Sequence, residues 1–451
     1  MDGFTMKQAA DAVGGKLHRY EPVILTDVAI DHRKVTKDCL FVAIRGKRFN
    51  GHDFIEAAYR AGAGAVMAEE AQLGIPTIVV EDTRRALLDL AAFYRSRFHG
   101  TVVGITGSVG KTTTKEMIAQ VLSAAKKVLK TEGNLNNGIG LPSTLFRLDR
   151  SYQAAVIEMG MSARGEISAL SQTACPTIGV ITNIGVSHME TLGSRENILR
   201  AKLEILDGMA EDAPLILGAD DDLLSCVRLS ERPLIFCGIE NKQADFRAED
   251  IKTKGGVTSF TVVDHGVSTP VVLPAVGRHN VINALFAFAV GYLEQMERAD
   301  IARALRDYRP VDMRQQVIET GEYTVLADCY NASPDSMKAA ISVLCELDTV
   351  GRRIAVLADM LELGKIAQDE HRKIGLYAGM NRIDALFCYG ALSKALYDGA
   401  AGISNRYHFT DKESLVRALR DYIRPGDVIL LKGSRSMKLE SVMTELFGEL
   451  L

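Results

Sequence analysis

The 451-residue sequence predicts an α/β protein of three domains. Length alone favours about three domains. From Thr101 onward, short β-branched apolar runs alternate with amphipathic runs of helical spacing, the pattern of a mostly parallel sheet covered on both faces. A third observation fixes the centre of the chain. Gly104–Thr114 reads GITGSVGKTTT, a glycine-rich turn placed between a strand pattern and a helix pattern.

Residues 1–82 read as a small α/β domain. Met6–Val13 has the pattern of a helix, Val23–Ile30 and Leu40–Ile44 of strands, His52–Ala61 of a helix, and Ala65–Met67 and Thr77–Val80 of short strands. Asp31-His32-Arg33 follows a strand end, and the loop RGKRFNGH gathers Arg45, Lys47, Arg48 and His52 around two glycines. A solvated loop has the same composition. Taken together, the two loops also suit a diphosphate clamp, with arginine as the natural fork.

The second domain is expected over 83–310, beginning with a charged amphipathic helix, Thr83–Phe98. Thr101–Thr106 (TVVGIT) reads as a buried strand and Lys115–Ala125 as the helix after the turn. A helix N-terminus behind a glycine turn presents unpaired N–H groups and partial positive charge, which together bind anions. Gly107 and Gly110 allow the backbone to wrap a phosphate, with Ser108, Val109 and Thr113 completing the turn. Lys111 is placed to reach the β/γ-phosphates and the Thr112 hydroxyl to hold Mg²⁺. This is a central P-loop mononucleotide-binding sheet, although Ile105 stands where the usual spacing has its first glycine, with Gly104 one place early.

Further strands are expected at Lys127–Thr131, Ala154–Met159, Ile178–Asn183 and Leu215–Leu217. In such sheets ligands lie beyond the carboxyl ends of the strands, and the suggestive residues fall there. GNLNNGIGLP, with Asn136 and Asn137, follows the second strand, though Asn and Gly favour turns without any further role. Glu158 ends the run AAVIEM and needs a partner, either a metal ion or an internal cation. His188, in TNIGVSHME, fits a metal role or a structural one. On the residues alone, Lys202 reads as a solvated helix lysine. Thr258–Val263 and Thr269–Ala275 suggest an added ribbon, followed by GRHN and a helix over Val281–Glu294. Asn280 is expected as its N-cap, and Asn283 suits either an adenine edge or a capping network.

The third domain, 311–451, alternates again, as a Rossmann-like fold does. Strands are expected at Tyr323–Ala327, Ile354–Leu357, Ala385–Tyr389 and Val428–Leu431. Their ends carry DCYNASP, DMLELG and KGSRS, acids on two loops and bases on another, which suits a site facing the central domain. Asp359 also fits a helix cap.

A net charge of −4 provides no broad basic field for nucleic acid. Seven scattered cysteines without CxxC spacing argue against a disulfide frame or a zinc site. The start MDGFTMKQAA lacks a signal-peptide pattern, and the most apolar stretch, Ala284–Leu293, is too short to cross a bilayer and reads as a buried helix. A cytoplasmic protein, monomeric and without membrane insertion, is expected.

The ordered motifs TGSVGKTTTKE, GNLNNGIGLP, EMGMSARGEI, TNIGVSHMETLGS, GRHNVINA, DCYNASPDSMKAA, LADMLELG and LLKGSRSMKLE resemble the Mur ligase family over essentially the whole chain. The resemblance implies an ATP-dependent amide ligase using two Mg²⁺ ions. DCYNASP, with the DHR and RGKRFNGHDF loops, points to the branch that joins D-alanyl-D-alanine to UDP-N-acetylmuramoyl-tripeptide through an acyl phosphate. It further implies that Asp31, His32 and Arg33 take the UDP-sugar end, where the family has Asp-Ser-Arg, and assigns Arg45, Lys47, Asn136 and Asn137 to substrate. Gly107–Thr113 would hold the ATP phosphates, Asn280 and Asn283 the adenine, and Arg314 and Asp328 the nucleotide as the third domain closes. Thr112, Glu158 and His188 would serve the metals, and Lys111, Lys202 and His188 the chemistry. Lys202 matches a lysine that the family carbamylates, followed here by Leu203 where glycine is usual. The alternatives are a sister ligase adding a single amino acid, or an ATP-gated switch that joins nothing.

Overall fold

The computed structural model describes residues 1–46 and 49–448. Its three larger sheets follow one another along the chain. The first orders its strands Lys16–His18, Thr77–Val79, Ala65–Ala68, Cys39–Val42 and Asp27–Ala29, parallel except for the antiparallel first pair. Phe4–Thr5 and Ile24–Leu25 form a separate small ribbon, which interrupts the single strand expected over Val23–Ile30.

The central sheet has nine strands. Thr101–Thr106 lies between Ala154–Glu158 and Ile178–Ile181, parallel to both. The chain runs first to one side, through Val128–Lys130 and Ala154–Glu158, then to the other, through Ile178–Ile181, Leu215–Gly218 and Leu234–Gly238. The P-loop therefore leaves the strand at which the winding reverses, where open α/β sheets bind ligands. The far side ends in an antiparallel ribbon of three strands rather than the expected two, Phe246–Lys254 being the additional one. Its sequence, FRAEDIKTK, carries charge because most of its side chains reach solvent.

The third sheet orders Gln316–Glu319, Thr324–Asp328, Val428–Lys432, Arg353–Ala358, Ala385–Tyr389 and Asn405–Phe409, and only the first strand is antiparallel. The two edge strands escape a hydrophobic-run criterion, since their residues are exposed or half-buried.

Helix Thr83–Ser96 joins the first two units physically. The Asp82 carboxylate accepts from the N–H groups of Arg84 and Arg85 and starts the helix. Leu87 and Leu90 are fully buried, and each such side chain contributes roughly 1.5–3 kcal/mol. The helix packs on Met6–Val13 on one side and on Gly140–Leu145 and Glu166–Ala174 on the other, so a single apolar core runs from Phe4 to Val227. Helix Arg278–Leu293 is buried nearly all round from Asn280 to Gly291, as the apolar stretch predicts for a core helix.

Candidate functional site

The P-loop helix begins at Lys111, one turn earlier than apolar spacing indicates, because Thr112–Thr114 form its first turn. Gly107 and Gly110 both have positive φ, 151° and 83°. A Cβ at Gly107 would collide with Thr182 Oγ1, so only glycine fits. The turn is tied to the next strand end. Ser108 N–H donates to the Asn183 carbonyl at 3.1 Å and Val109 N–H to Asn183 Oδ1 at 2.9 Å. The Thr182 hydroxyl donates to the Val109 carbonyl at 2.6 Å. Lys111 Nζ folds back onto the Gly107 carbonyl at 2.9 Å. Burial pulls the Lys111 ammonium down from its ordinary pKa; Glu158 opposes the shift and Arg314 reinforces it.

Glu158 is buried at the end of its strand and engages both oxygens: Thr112 Oγ1 donates to Oε2 at 2.9 Å and Asn136 Nδ2 donates to Oε1 at 2.8 Å. Lys115 Nζ stands 3.9 Å from the same carboxylate, itself buried and donating to the Thr131 carbonyl. Thr112 and Glu158 thus form an adjacent pair of hard oxygen donors at the phosphate end of the P-loop, a donor set that fits Mg²⁺. Among the described residues no three His, Cys, Asp or Glu side chains converge on one point, so such an ion would complete its shell with phosphate oxygens and water.

Lys202 corrects the expectation of a solvated lysine. It is 1 % exposed, and burial followed by the nearby Lys111 charge holds its amine far below the ordinary lysine range. Its helix turns the position inward, which charge patterning along the sequence does not reveal. His188 has φ of 64°, an uncommon conformation for a side-chain-bearing residue. Its pKa falls to about 4 through burial, Lys202 and Lys111, leaving a neutral imidazole at pH 7. Its Nδ1 lies 3.4 Å from Glu362 Oε2 of the third domain.

Asn280 is not the expected N-cap. Helix Arg278–Leu293 starts earlier, capped at Gly277 without a side-chain bond, and Asn280 lies inside its first turn. The two amides form a network instead: Thr114 Oγ1 donates to Asn283 Oδ1, Asn283 Nδ2 to Asn280 Oδ1, and Asn280 Nδ2 to the Val276 carbonyl and Gln315 Oε1. Arg314 stacks over the Tyr330 ring at 4.0 Å, and Asp328 accepts from buried Lys432 at 2.8 Å. Asp359 caps no helix that follows it directly. Its carboxylate accepts from the N–H groups of Leu392 and Ser393.

Gly110, Lys111, Thr112, Glu158, His188, Asn280, Asn283, Arg314 and Asp328 line one cavity of about 820 Å³, together with Ser108, Val109, Thr113, Asn136 and Asn137. The N-terminal residues stand elsewhere. Asp31 caps a short 3₁₀ turn and pairs with Arg33, which holds its carboxyl well below the usual range. His32 stacks on Phe54 at 4.4 Å, and Arg45 pairs with Glu69 at 2.7 Å. None of these four lines the cavity, and Lys47 lies outside the described residues. The sequence reading passed over Asn183 and Lys115, although both sit inside quoted motifs. Their signal is position: two residues past a strand end, and one turn into the P-loop helix.

Fold and cavity together define a multidomain P-loop α/β enzyme. Family models for the Mur ligase family catalytic domain, the Mur ligase middle domain and the Mur ligase glutamate ligase domain match residues 25–95, 105–291 and 313–435. The chain is 40 % identical over 452 aligned positions to a UDP-N-acetylmuramoyl-tripeptide–D-alanyl-D-alanine ligase of Bacillus subtilis, covering 98 % of each chain. It is 37 % identical to the same-named ligase of Escherichia coli, covering 99 % of each. The crystal structure of MurF from Acinetobacter baumannii superposes with a TM-score of 0.93 at 29 % identity over the full length of both chains. That of MurF ligase from Thermotoga maritima in complex with ADP superposes with a TM-score of 0.85 at 29 % identity, covering 94 % of this chain and 97 % of that one. The chain belongs to the Mur ligase family.

Proposed function

We propose that the protein joins D-alanyl-D-alanine to the terminal carboxylate of UDP-N-acetylmuramoyl-tripeptide at the expense of ATP, in the synthesis of peptidoglycan precursors. The supporting observation is the meeting of P-loop, buried carboxylate and third-domain residues in one cavity, on a chain similar end to end to ligases of that name. In this reading the tripeptide carboxylate attacks the γ-phosphoryl group, giving an acyl phosphate and ADP. The dipeptide amine then displaces phosphate.

The first step brings two anions together, and Lys111 supplies the fixed positive charge that lets them approach. Thr112, Glu158 and neutral His188 would hold the Mg²⁺ ions, which supply charge neutralisation and in-line alignment. The dry Lys202 amine, held neutral by burial, is suited to capture CO₂: its nitrogen bonds to the CO₂ carbon, one proton leaves to solvent, and the neutral amine becomes a carbamate anion close to Lys111 and His188. Arg314 and Asp328 would complete the site from the third domain, excluding water from the acyl phosphate. Asp31, His32, Arg33, Arg45 and Lys47 are assigned to the UDP end, with the domain divisions at 82 and 310, cytoplasmic location and monomeric state part of the same proposal. No helix among the described residues is long and apolar enough to cross a membrane.

Phosphate release measured with UDP-N-acetylmuramoyl-tripeptides carrying either diaminopimelate or lysine tests the reading. Release should require ATP, the tripeptide nucleotide and D-alanyl-D-alanine together. Release from ATP alone, or equally well with a single amino acid, would sink it. For the carbamate, Lys202→Ala should be inactive and partly restored by a short carboxylic acid. An unmodified lysine by mass measurement, with no rescue, would retire that part.

A further inference from the structure

A dipeptide amine arrives at neutral pH as an ammonium ion, and a cavity built around phosphate charge must offer it a carboxylate. Seven carboxylates line the cavity. Six have partners. Glu158 accepts from Thr112 and Asn136, and Asp328 from Lys432. Asp220 accepts from the backbone of Ile239, Glu240 and Asn241, and Asp221 from that of Ile184, Leu223 and Leu224. Glu166 accepts from Ser162 N–H, and Glu362 pairs with His188 at the outer edge.

The seventh, Asp335, has no hydrogen bond or ion pair among the described residues. It sits in the first turn of helix Pro334–Glu346, in the third domain, and points across the domain boundary. A Cβ built on Gly185 would collide with its Oδ2 and lie 3.3 Å from Ser108 Cβ of the P-loop. The Gly185 N–H in turn donates to Ser108 Oγ at 2.9 Å. Asp335 therefore stands against the phosphate loop only while the third domain is closed on the central one. An acid in a first helical turn ordinarily serves the helix dipole and faces water. This one faces the cavity, and burial raises its pKa against the weaker pull of Lys338 and Arg195. Leaving a carboxylate half-dry and unpaired costs free energy that an incoming cation recovers.

We propose that Asp335 receives the ammonium group of the incoming D-alanyl-D-alanine and so makes acceptance of the amine depend on closure. The inference rests on the ligase reading above and adds a named residue for the second substrate. Aspartate at this point also selects against acceptors that lack a cationic amine.

The test compares D-alanyl-D-alanine with propionyl-D-alanine, its analogue without the amine. Binding of each is measured calorimetrically to the full chain loaded with the UDP-tripeptide and a non-hydrolysable ATP analogue. Wild type should favour the amine by about tenfold or more, the worth of one charged hydrogen bond. Asp335→Asn should erase most of that preference, and Asp335→Glu should retain part of it. In turnover, Asp335→Asn should raise KM for the dipeptide by about tenfold while leaving KM for ATP and the UDP-tripeptide within about twofold. An unchanged preference in Asp335→Asn, or a rise in all three KM values together, overturns the assignment. A wild type that ligates no D-alanyl-D-alanine fails the ligase reading itself. A wild type that ligates while Asp335→Asn behaves identically fails this inference alone.

Discussion

The central domain meets its two neighbours in opposite ways. Toward the N-terminus the junction is apolar: Phe4 stacks edge-on to Phe93 with ring centres 6.4 Å apart, and Tyr94 packs on Phe146 at 6.0 Å. Buried Arg95 anchors the shared helix Thr83–Ser96 within the central domain by donating to the carbonyls of Ala174 and Cys175. Toward the C-terminus the contacts around the cavity are polar, beside a smaller apolar patch where Val276 and Val186 pack on the third domain's core. His188 meets Glu362, Asn280 meets Gln315, and Asp335 meets Gly185. A continuous apolar core resists shear because every displacement exposes surface. A polar seam exchanges protein partners for water at little net cost. The first junction is built to hold, the second to open and close. Closure should therefore occur near residue 310, with little movement near 82. Distance labels across the two seams would contradict this if both changed equally on adding nucleotide and substrates.

The strongest separation of the two roles comes from Lys111→Ala. Removing the cation that offsets phosphate charge should cut phosphate release by about a thousandfold or more. Thermal stability should stay level or rise, since the lost ammonium is desolvated and pulled down in pKa by burial. Turnover near wild type would refute the P-loop role.

Phe4→Ala addresses the apolar seam. The ring is 1 % exposed, and emptying such a site costs about 3–5 kcal/mol. Because the core is shared, the N-terminal and central sheets should lose stability in one transition, read by urea unfolding with probes in each. Two separated transitions with only the N-terminal one shifted would break the comparison.

Much of this arrangement is legible in the sequence, for local reasons. The P-loop announces itself because its glycines, lysine and threonines act within a few residues of one another. Strand ends carrying Glu158 and Asp328 are legible because buried parallel strands are continuous apolar runs with a sharp polar stop. Lys202 is not legible, since its burial comes from elements distant in sequence and its own helix has ordinary charge patterning. Asn280 reads as a cap from its neighbours, but the packing of Gly277 moves the helix start upstream. Strand Phe246–Lys254 hides because charge on an exposed ribbon resembles loop composition. Asp335 looks like a first-turn acid until the third domain is folded against the P-loop.

The third domain can be weakened without touching either seam. Asp427 is buried at the start of its strand Val428–Lys432. Burial raises its pKa, but hydrogen bonds from the Arg352 side chain and from the N–H groups of Arg352 and Arg424 outweigh that and hold it below the ordinary aspartate value. A depressed carboxyl contributes stability that is present above the unfolded-state pKa and lost as pH falls through the folded one. Acid below about pH 4 should therefore unfold the third domain ahead of the shared-core pair. Asp427→Asn should remove about 3 kcal/mol at pH 7, the lower end for a buried pair because Arg352 is partly exposed. Chemical unfolding monitored across pH 3–7 checks both. A mutant with the same acid sensitivity as wild type would remove Asp427 from the explanation.

The smallest effect should come from Gln315→Ala, on the polar seam. Gln315 Oε1 is the point where the third domain meets Asn280 and His279 of the buried helix. Its loss leaves His279 and Asn280 short of one partner at the rim of a cavity already open to water, so solvent can take its place. The stability cost should be about 1 kcal/mol or less, well under that of Phe4→Ala. What changes is the closed state, since this contact forms only when the domains meet. KM for ATP should rise by a few-fold while the unfolding midpoint hardly moves. A loss of stability matching Phe4→Ala would mean that the polar seam is structural after all, and that the two junctions differ in composition but not in purpose.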